Sequence, residues 1–366
     1  MELFEDRLKG VKSEVHLSDY TTIGLGGVAK YFVACQTIEE IRSALKFAEE
    51  ENVPVQILGG GSNVIFPDES FNGLVIKVDS RGVEFESGGE YTMVRVGAGE
   101  VWDDLVKSCL EKNLGGIECL SGIPGSVGAT PIQNVGAYGQ EVKDTIVSVK
   151  AIDRKSREIV EFLSADCEFG YRKSRFKVRD KDKFVIVEVC FKLKNSGKPS
   201  IKYEELQNYL EMRKTEVSSS RPSVGSLSLK DVREAILALR RKKSMVIDPN
   251  DPNSRSVGSF FVNPILSEVE YKNFTDRLSL YGFSKAPSYK STEGVKVPSA
   301  WLIESSGFYR GYKKNGVGIS PNHALALVNY SGTTKEILSL ASEIENAVYE
   351  RFRIKLQKEA VIVCGS

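Results

Sequence analysis

The chain has 366 residues, with 50 basic and 49 acidic side chains and a formal net charge of +1. That length suggests two or three domains of roughly 100–200 residues each, and a composition 41% hydrophobic and 27% charged is that of an ordinary globular protein. Near-zero charge excludes a global field that would draw the chain to nucleic acid or an anionic membrane, so any anionic ligand must be held by local groups.

Residues 1–10 mix Glu2, Glu5, Asp6, Arg7 and Lys9 with apolar residues and lack the apolar core of a signal peptide. No later stretch reaches the ~18 consecutive apolar residues of a membrane span, so a cytoplasmic location is expected. The six cysteines form no CxxC pair, and free thiols are expected. The two histidines, His16 and His323, form no metal-binding pattern with other ligands, so no metal site is expected. A serine hydrolase is disfavoured, because no GxSxG occurs.

In chain order, 37–52 reads as an amphipathic helix. Ile38, Ile41, Leu45 and Ala48 share one face, and Thr37 with Glu40 forms a capping box. Pro54 breaks it. A short strand at 55–58 runs into Gly59, Gly60, Gly61, Ser62 and Asn63, and 64–66 and 74–78 look like further buried strands. A half-buried strand at 91–96 precedes a second helix, with Val101, Leu105 and Cys109 on one face and a stop at 113–116. The glycine-rich stretch 121–139 is too polar and broken for a helix, and its length exceeds that of ordinary connections. Strands are expected at 146–152, 158–162 and 184–193, and loops at 195–199 and 218–225. The helix over 228–243 carries Val232, Ile236 and Leu239 on one face and ends in Arg240, Arg241, Lys242 and Lys243, which suits its negative pole. After a break at 248–256, the last helix begins near Thr333, with Ile337, Leu340, Ile344 and Val348 on one face. Strands and helices interleave without a strict βαβ rhythm, which favours α+β.

Three stretches carry candidate chemistry. Consecutive glycines at 59–61, directly after a strand, let backbone N–H groups approach a pyrophosphate, with donors added by Ser62 and Asn63. A plain tight turn explains the same residues equally well. Ser121, Gly122, Ile123, Pro124, Gly125, Ser126, Gly128 and Ala129 place three glycines at spacing three, a fixed backbone able to hold another part of the same dinucleotide. Gln133, Asn134, Gly136, Ala137 and Tyr138 extend it with amides that can read a flavin or adenine edge. An Ω-loop without a ligand remains the alternative. Residues 170–177 pack four cations around two aromatics; anion binding is one reading, and a solvated basic face is the simpler one. Ser259, between a glycine and two phenylalanines, has no base beside it in the sequence and reads as a satisfied hydroxyl in a turn.

Together these stretches resemble one family. TTIGLGG at 21–27, GGGSN, SGIPGSVGATPIQNVGAYGQEV, GYRKSRFK, VGSFFVNP, WLIE at 301–304, SPNHA at 320–324 and LQKEA at 356–360 run in the order of the UDP-N-acetylenolpyruvoylglucosamine reductases, also called UDP-N-acetylmuramate dehydrogenases. The segment from Tyr203 to Leu206 is similar to the first of that family's two types. The resemblance implies a three-domain α+β fold of the vanillyl-alcohol-oxidase, or PCMH, FAD-binding type, with a separate C-terminal substrate-binding domain. The implied units are 1–79, closed by 353–366, and 80–243 for FAD, and 244–352 for the substrate.

The resemblance also implies the reaction. NADPH reduces bound FAD, which reduces the enolpyruvyl ether of UDP-N-acetylglucosamine to UDP-N-acetylmuramic acid, a peptidoglycan precursor, in a monomer that binds neither nucleic acid nor membrane. Hydride reaches C3 and a proton reaches C2. Arg172, Ser259 and Glu359 match the catalytic positions: Arg172 for the developing charge, Ser259 as proton donor, and Glu359 as a group that must be protonated or hydrogen-bonded. Tyr171 matches a flavin-site position, and Tyr203, Lys243 and Asn263 match substrate-binding positions. Val262 departs from the lysine many members have, and Ala360 from valine. The rival readings are a flavin oxidase of the same fold with another substrate and a nucleotide-sugar binding protein without catalysis.

Overall fold

The computed structural model describes residues 7–216 and 227–364. The loop expected at 218–225 lies outside the described residues, as do residues 1–6 of the N-terminal segment.

Apolar periodicity and caps account for most of the helices. Helix α1 (Ile38–Glu50) starts at Thr37, whose hydroxyl accepts from the Glu40 N–H at 3.2 Å while Glu40 reaches back. Helix α2 spans Trp102–Glu111. It buries Trp102, Leu105, Val106 and Cys109, whereas Val101 precedes it and is 41% exposed. The helix begins one residue too late for Val101 to join the buried face. Helices α3 (Glu204–Glu216) and α4 (Leu229–Lys242) pack on each other, and Ser228 and Asp231 cap α4 reciprocally. Helices α5 (Glu268–Leu278), α6 (Ser299–Glu304) and α7 (Thr334–Phe352) follow, the last capped by Thr333 and Glu336.

The first sheet orders Lys12–His16, Val28–Cys35, Phe71–Val78 and Val55–Leu58; its first pair is antiparallel and the others parallel. The second is antiparallel, running Ile159–Leu163, Ile146–Asp153, Phe184–Asn195, Tyr91–Gly97 and Val83–Gly88, with Leu114–Gly115 pairing onto the central strand. That central strand buries Val185, Ile186, Val187, Val189, Cys190 and Phe191, so both its faces are covered. One hydrophobic core joins α1 and α2 to both sheets, and a second fills the C-terminal half around α5, α6 and α7. Antiparallel and mixed sheets with helices interleaved irregularly give the α+β class expected.

The C-terminal tail stitches the halves together. Gln357–Lys358 pairs with Phe261–Val262, and two residues later Val361–Ile362 runs parallel to Val64–Ile65. Glu359 lies between these two ladders, and its N–H donates to Phe260 O at 2.8 Å. No helix among the described residues is long and apolar enough to cross a membrane.

Candidate active site

The loops at 59–63 and 122–126 lie back to back. A Cβ on Gly60 would stand 2.7 Å from Gly125 Cα, and one on Gly59 would stand 2.4 Å from Ser126 Oγ. At Gly60 the neighbour is backbone and only hydrogen fits, whereas at Gly59 a side chain would displace the Ser126 hydroxyl. Ser62 Oγ donates to Pro124 O at 3.1 Å. The N–H groups of Gly60, Gly61, Ser62 and Asn63 donate to no partner among the described residues, so four successive donors remain for a ligand. A pyrophosphate is the group such a cradle of unspent backbone N–H suits.

A cleft of about 1480 Å³ opens beside this cradle. Ser62, Asn63, Ile123, Pro124, Gln133, Gly136, Ala137, Tyr138 and Tyr171 line it, and so do Arg172, Tyr203, Lys243, Ser259, Asn263 and Glu359. The remaining expected cofactor residues stand behind this lining. Ser121 is fully buried, with its hydroxyl spent on Glu118 O at 2.7 Å. Asn134 is likewise buried, donating to Glu141 and to Gly170 O and accepting from the Lys143 N–H, so its amide braces the loop. Gly128 packs against Ala98, where a Cβ would stand 2.6 Å from the alanine Cβ. Gly61 and Gly122 adopt φ of +65° and +72°, the left-handed region glycine enters freely. Asn134, Tyr138 and Arg172 also have positive φ, and such strain collects where surrounding structure over-determines it.

At the cleft floor, Arg172 Nε lies 2.9 Å from Glu359 Oε1, and Arg172 Nη2 donates to Gly136 O at 2.8 Å. The Nε–H itself has no hydrogen-bond acceptor, so the contact with Glu359 is an ion pair by distance with its donor turned aside. Burial raises the Glu359 pKa, against the pull of Arg172 and Lys177. Lys177 donates to Gln133 Oε1 at 3.2 Å, and burial lowers its pKa. Gln133 Nε2 reaches Glu359 at 3.4 Å, and Asn63 Nδ2 donates to Gln133 and to Glu359 O. Arg172, Lys177, Gln133, Asn63 and Glu359 therefore form one network under the cradle.

Ser259 ends the strand Ser256–Ser259 and does have a base beside it, correcting the reading of an isolated hydroxyl. His323 Nε2 lies 3.5 Å from its Oγ. Burial lowers the His323 pKa to about 4, helped by Lys243, Arg240 and Arg310, so the imidazole is neutral near pH 7. Asn263 Oδ1 accepts from Ser299 N–H at 2.8 Å. Tyr203 is 47% exposed and meets Tyr138 edge to face at 5.5 Å. Lys243 Nζ is 2.7 Å from Glu205.

Sequence reasoning gave no role to His323, Lys177, Glu205 or Lys296. Lys177 closes the basic motif and His323 sits in SPNHA, so both were visible as residues without partners. Lys296 belongs to no quoted motif, and only folding brings it to the cleft.

Residues 29–162 match the family FAD binding domain, and residues 249–363 match the family UDP-N-acetylenolpyruvoylglucosamine reductase, C-terminal domain. The chain is 44% identical over 356 residues to a protein of Thermobifida fusca named UDP-N-acetylenolpyruvoylglucosamine reductase, covering 95% of this chain and 97% of that one. A protein of the same name from Flavobacterium johnsoniae is 38% identical, with 96% and 99% covered. The crystal structure of UDP-N-acetylenolpyruvylglucosamine reductase from Thermus caldophilus shares the fold, with a TM-score of 0.64 over 97% of this chain and 100% of that one, at 23% identity. On the strength of the two full-length relatives, this chain belongs to the UDP-N-acetylenolpyruvoylglucosamine reductase family.

Proposed function

We propose that the protein is an FAD-containing, NADPH-dependent reductase that converts the enolpyruvyl ether of UDP-N-acetylglucosamine to UDP-N-acetylmuramic acid. The observation that carries this reading is Ser259, Arg172 and Glu359 lining one cleft with Ser62, Asn63, Ile123 and Pro124, which border the glycine cradle. We assign 1–79, closed by 353–366, and 80–243 to FAD binding and 244–352 to substrate binding. The ladder between Val361–Ile362 and Val64–Ile65 supports the closure. The enzyme acts as a cytoplasmic monomer on small molecules, where NADPH and the nucleotide sugar are both at hand, and neither nucleic acid nor membrane takes part.

The cradle fits FAD because its unspent N–H groups suit a pyrophosphate and its glycines admit close approach. Gly59, Gly60, Gly61, Ser62, Asn63 and the 121–129 loop would hold the dinucleotide, with Gln133, Gly136, Ala137, Tyr138 and Tyr171 around its ring. FAD held there would supply the hydride-transfer chemistry, linking NADPH to C3 of the enolpyruvyl group.

The chain's own residues manage the charge and the proton. Hydride at C3 drives negative charge onto C2 and the carboxylate. Arg172 keeps donors for that charge, since its Nε–H has no acceptor. Burial raises the Glu359 pKa against the pull of Arg172 and Lys177, which favours a carboxyl group that can share a proton at the site. Ser259 gives its hydroxyl proton to C2, and His323 Nε2, close to Oγ, can donate to the alkoxide left behind. Tyr203, Lys243 and Asn263 hold the nucleotide sugar, Lys243 through its phosphates. The test is NADPH oxidation that depends on the enolpyruvyl nucleotide sugar, with a product heavier by two hydrogens in mass spectra. Oxidation independent of the sugar would point to the oxidase reading.

A further inference from the structure

Lys296 ends the strand Gly294–Lys296, in the middle of a three-stranded sheet beside the cleft. It is half-buried and lines the cleft wall. Its Nζ stands 3.5 Å from the centroid of the Tyr171 ring, and the Arg172 guanidinium lies 5.5 Å from the same ring. Tyr171 and Asn263 line the same cleft, and Asn263 acts on the Tyr171 hydroxyl. Lys296, Tyr171, Arg172 and Asn263 thus form one corner of the cleft.

Charge is unbalanced in that corner. Among the described residues, no carboxylate lies within ion-pair distance of Lys296. Glu141 and Glu293 act on it only at longer range, as do the cations Arg172 and Lys143, and Glu141 is already paired with Lys143 at 2.7 Å. Glu359, the acid beside Arg172, has its pKa raised by burial. A partly desolvated ammonium without a counter-ion is costly unless an anion arrives to pair with it. Arg172 alone is a poor match for a carboxylate here, because one of its terminal nitrogens is spent on Gly136 O.

We propose that Lys296 is a further substrate-binding residue that, with Arg172, holds the carboxylate of the enolpyruvyl group. This rests on the reductase reading above. An ammonium fixed at the carboxylate also faces the charge that appears when hydride reaches C3, so Lys296 contributes to the reduction step as well as to binding.

Lys296→Met keeps the unbranched stem and removes the charge, and Lys296→Arg restores a cation. Flavin content and melting temperature establish that each variant is folded. Binding is compared for two probes, the enolpyruvyl nucleotide sugar and UDP-N-acetylglucosamine, which lacks the carboxylate. We expect Lys296→Met to weaken the carboxylate-bearing probe about 10- to 100-fold, as loss of a charge-assisted contact does, and to leave the other within about twofold on the same scale. Reoxidation of the NADPH-reduced enzyme by the substrate should slow by a similar factor, flavin reduction by NADPH should not, and Lys296→Arg should recover most of the loss. Equal weakening of both probes, no weakening of either, or a rise confined to the KM for NADPH would each overturn the proposal. If Lys296→Met does not fold, Lys296→Gln takes its place: selective weakening of the carboxylate-bearing probe supports the proposal, and wild-type discrimination between the probes overturns it. Wild-type enzyme that binds neither probe would instead sink the reductase reading itself.

Discussion

Ser259 and His323 show how much chemistry a single pair of residues can hide from the sequence. A serine between Gly258 and Phe260 has no base near it in the chain, and only the fold brings His323 to 3.5 Å. Arg172 and Glu359 were legible because each lies in a distinctive motif, but their 2.9 Å contact was not. Ser259→Ala should leave flavin reduction by NADPH unchanged and slow reoxidation by the nucleotide sugar by about 10²- to 10⁴-fold, the usual worth of a positioned proton donor. Stopped-flow absorbance separates the two steps, and unchanged reoxidation would remove Ser259 from the chemistry. His323 makes a pH prediction whose sign follows from its depressed pKa. The unfolded chain takes up a proton near pH 6.5 and the folded chain only near about 4, so stability is full above the higher value and lost as pH falls toward the lower one. His323→Gln should remove that component, and melting temperatures taken between pH 7 and pH 4 should fall less steeply than in the wild type. An identical slope would contradict the assignment.

At the scale of elements, capping chemistry was the most readable signal. Thr37, Ser228 and Thr333 each start a helix within one residue of expectation, because a capping box fixes the first turn locally. Helix α3 was missed: only Leu206 and Leu210 of its described side chains are buried, too thin a stripe to recognise. The glycine loops were visible as unusual, while their mutual packing was not, since Gly60 meets Gly125 only in the folded chain. Gly60→Ala forces a Cβ to 2.7 Å from backbone. We expect it to destabilise by about 1–3 kcal/mol and to leave the purified protein with little flavin, as read from visible absorbance and a thermal melt. A yellow, equally stable variant would argue against the cradle. Helix ends also favour the two charges of an ion pair at the cleft, Lys243 and Glu205. Lys243 caps the C-terminus of α4, where a cation is favoured, and Glu205 lies in the first turn of α3, where an acid is favoured. Lys243→Ala should raise the KM for the nucleotide sugar about tenfold with kcat changed far less, and steady-state kinetics would show it. A fall in kcat with KM unchanged would place Lys243 elsewhere in the cycle.

Across the whole molecule, the site is assembled from segments that the sequence keeps far apart. The cradle comes from the first sheet, Arg172 from the loop before the central strand of the second, Ser259 from the C-terminal half and Glu359 from the tail pinned between two ladders. Ordered motifs made the family legible over nearly the full chain. They could not reveal Lys296 or the donor network around Glu359, because those depend on which loops meet across the cleft. The central claim is one cleft serving two half-reactions. The measurement that tests it most directly is anaerobic: NADPH is added to the flavin-loaded protein until the flavin absorption bleaches, and the enolpyruvyl nucleotide sugar follows. We expect the oxidised spectrum to return in full. Bleaching without return would contradict the assigned substrate, and a protein that cannot be loaded with flavin would contradict the assigned cofactor.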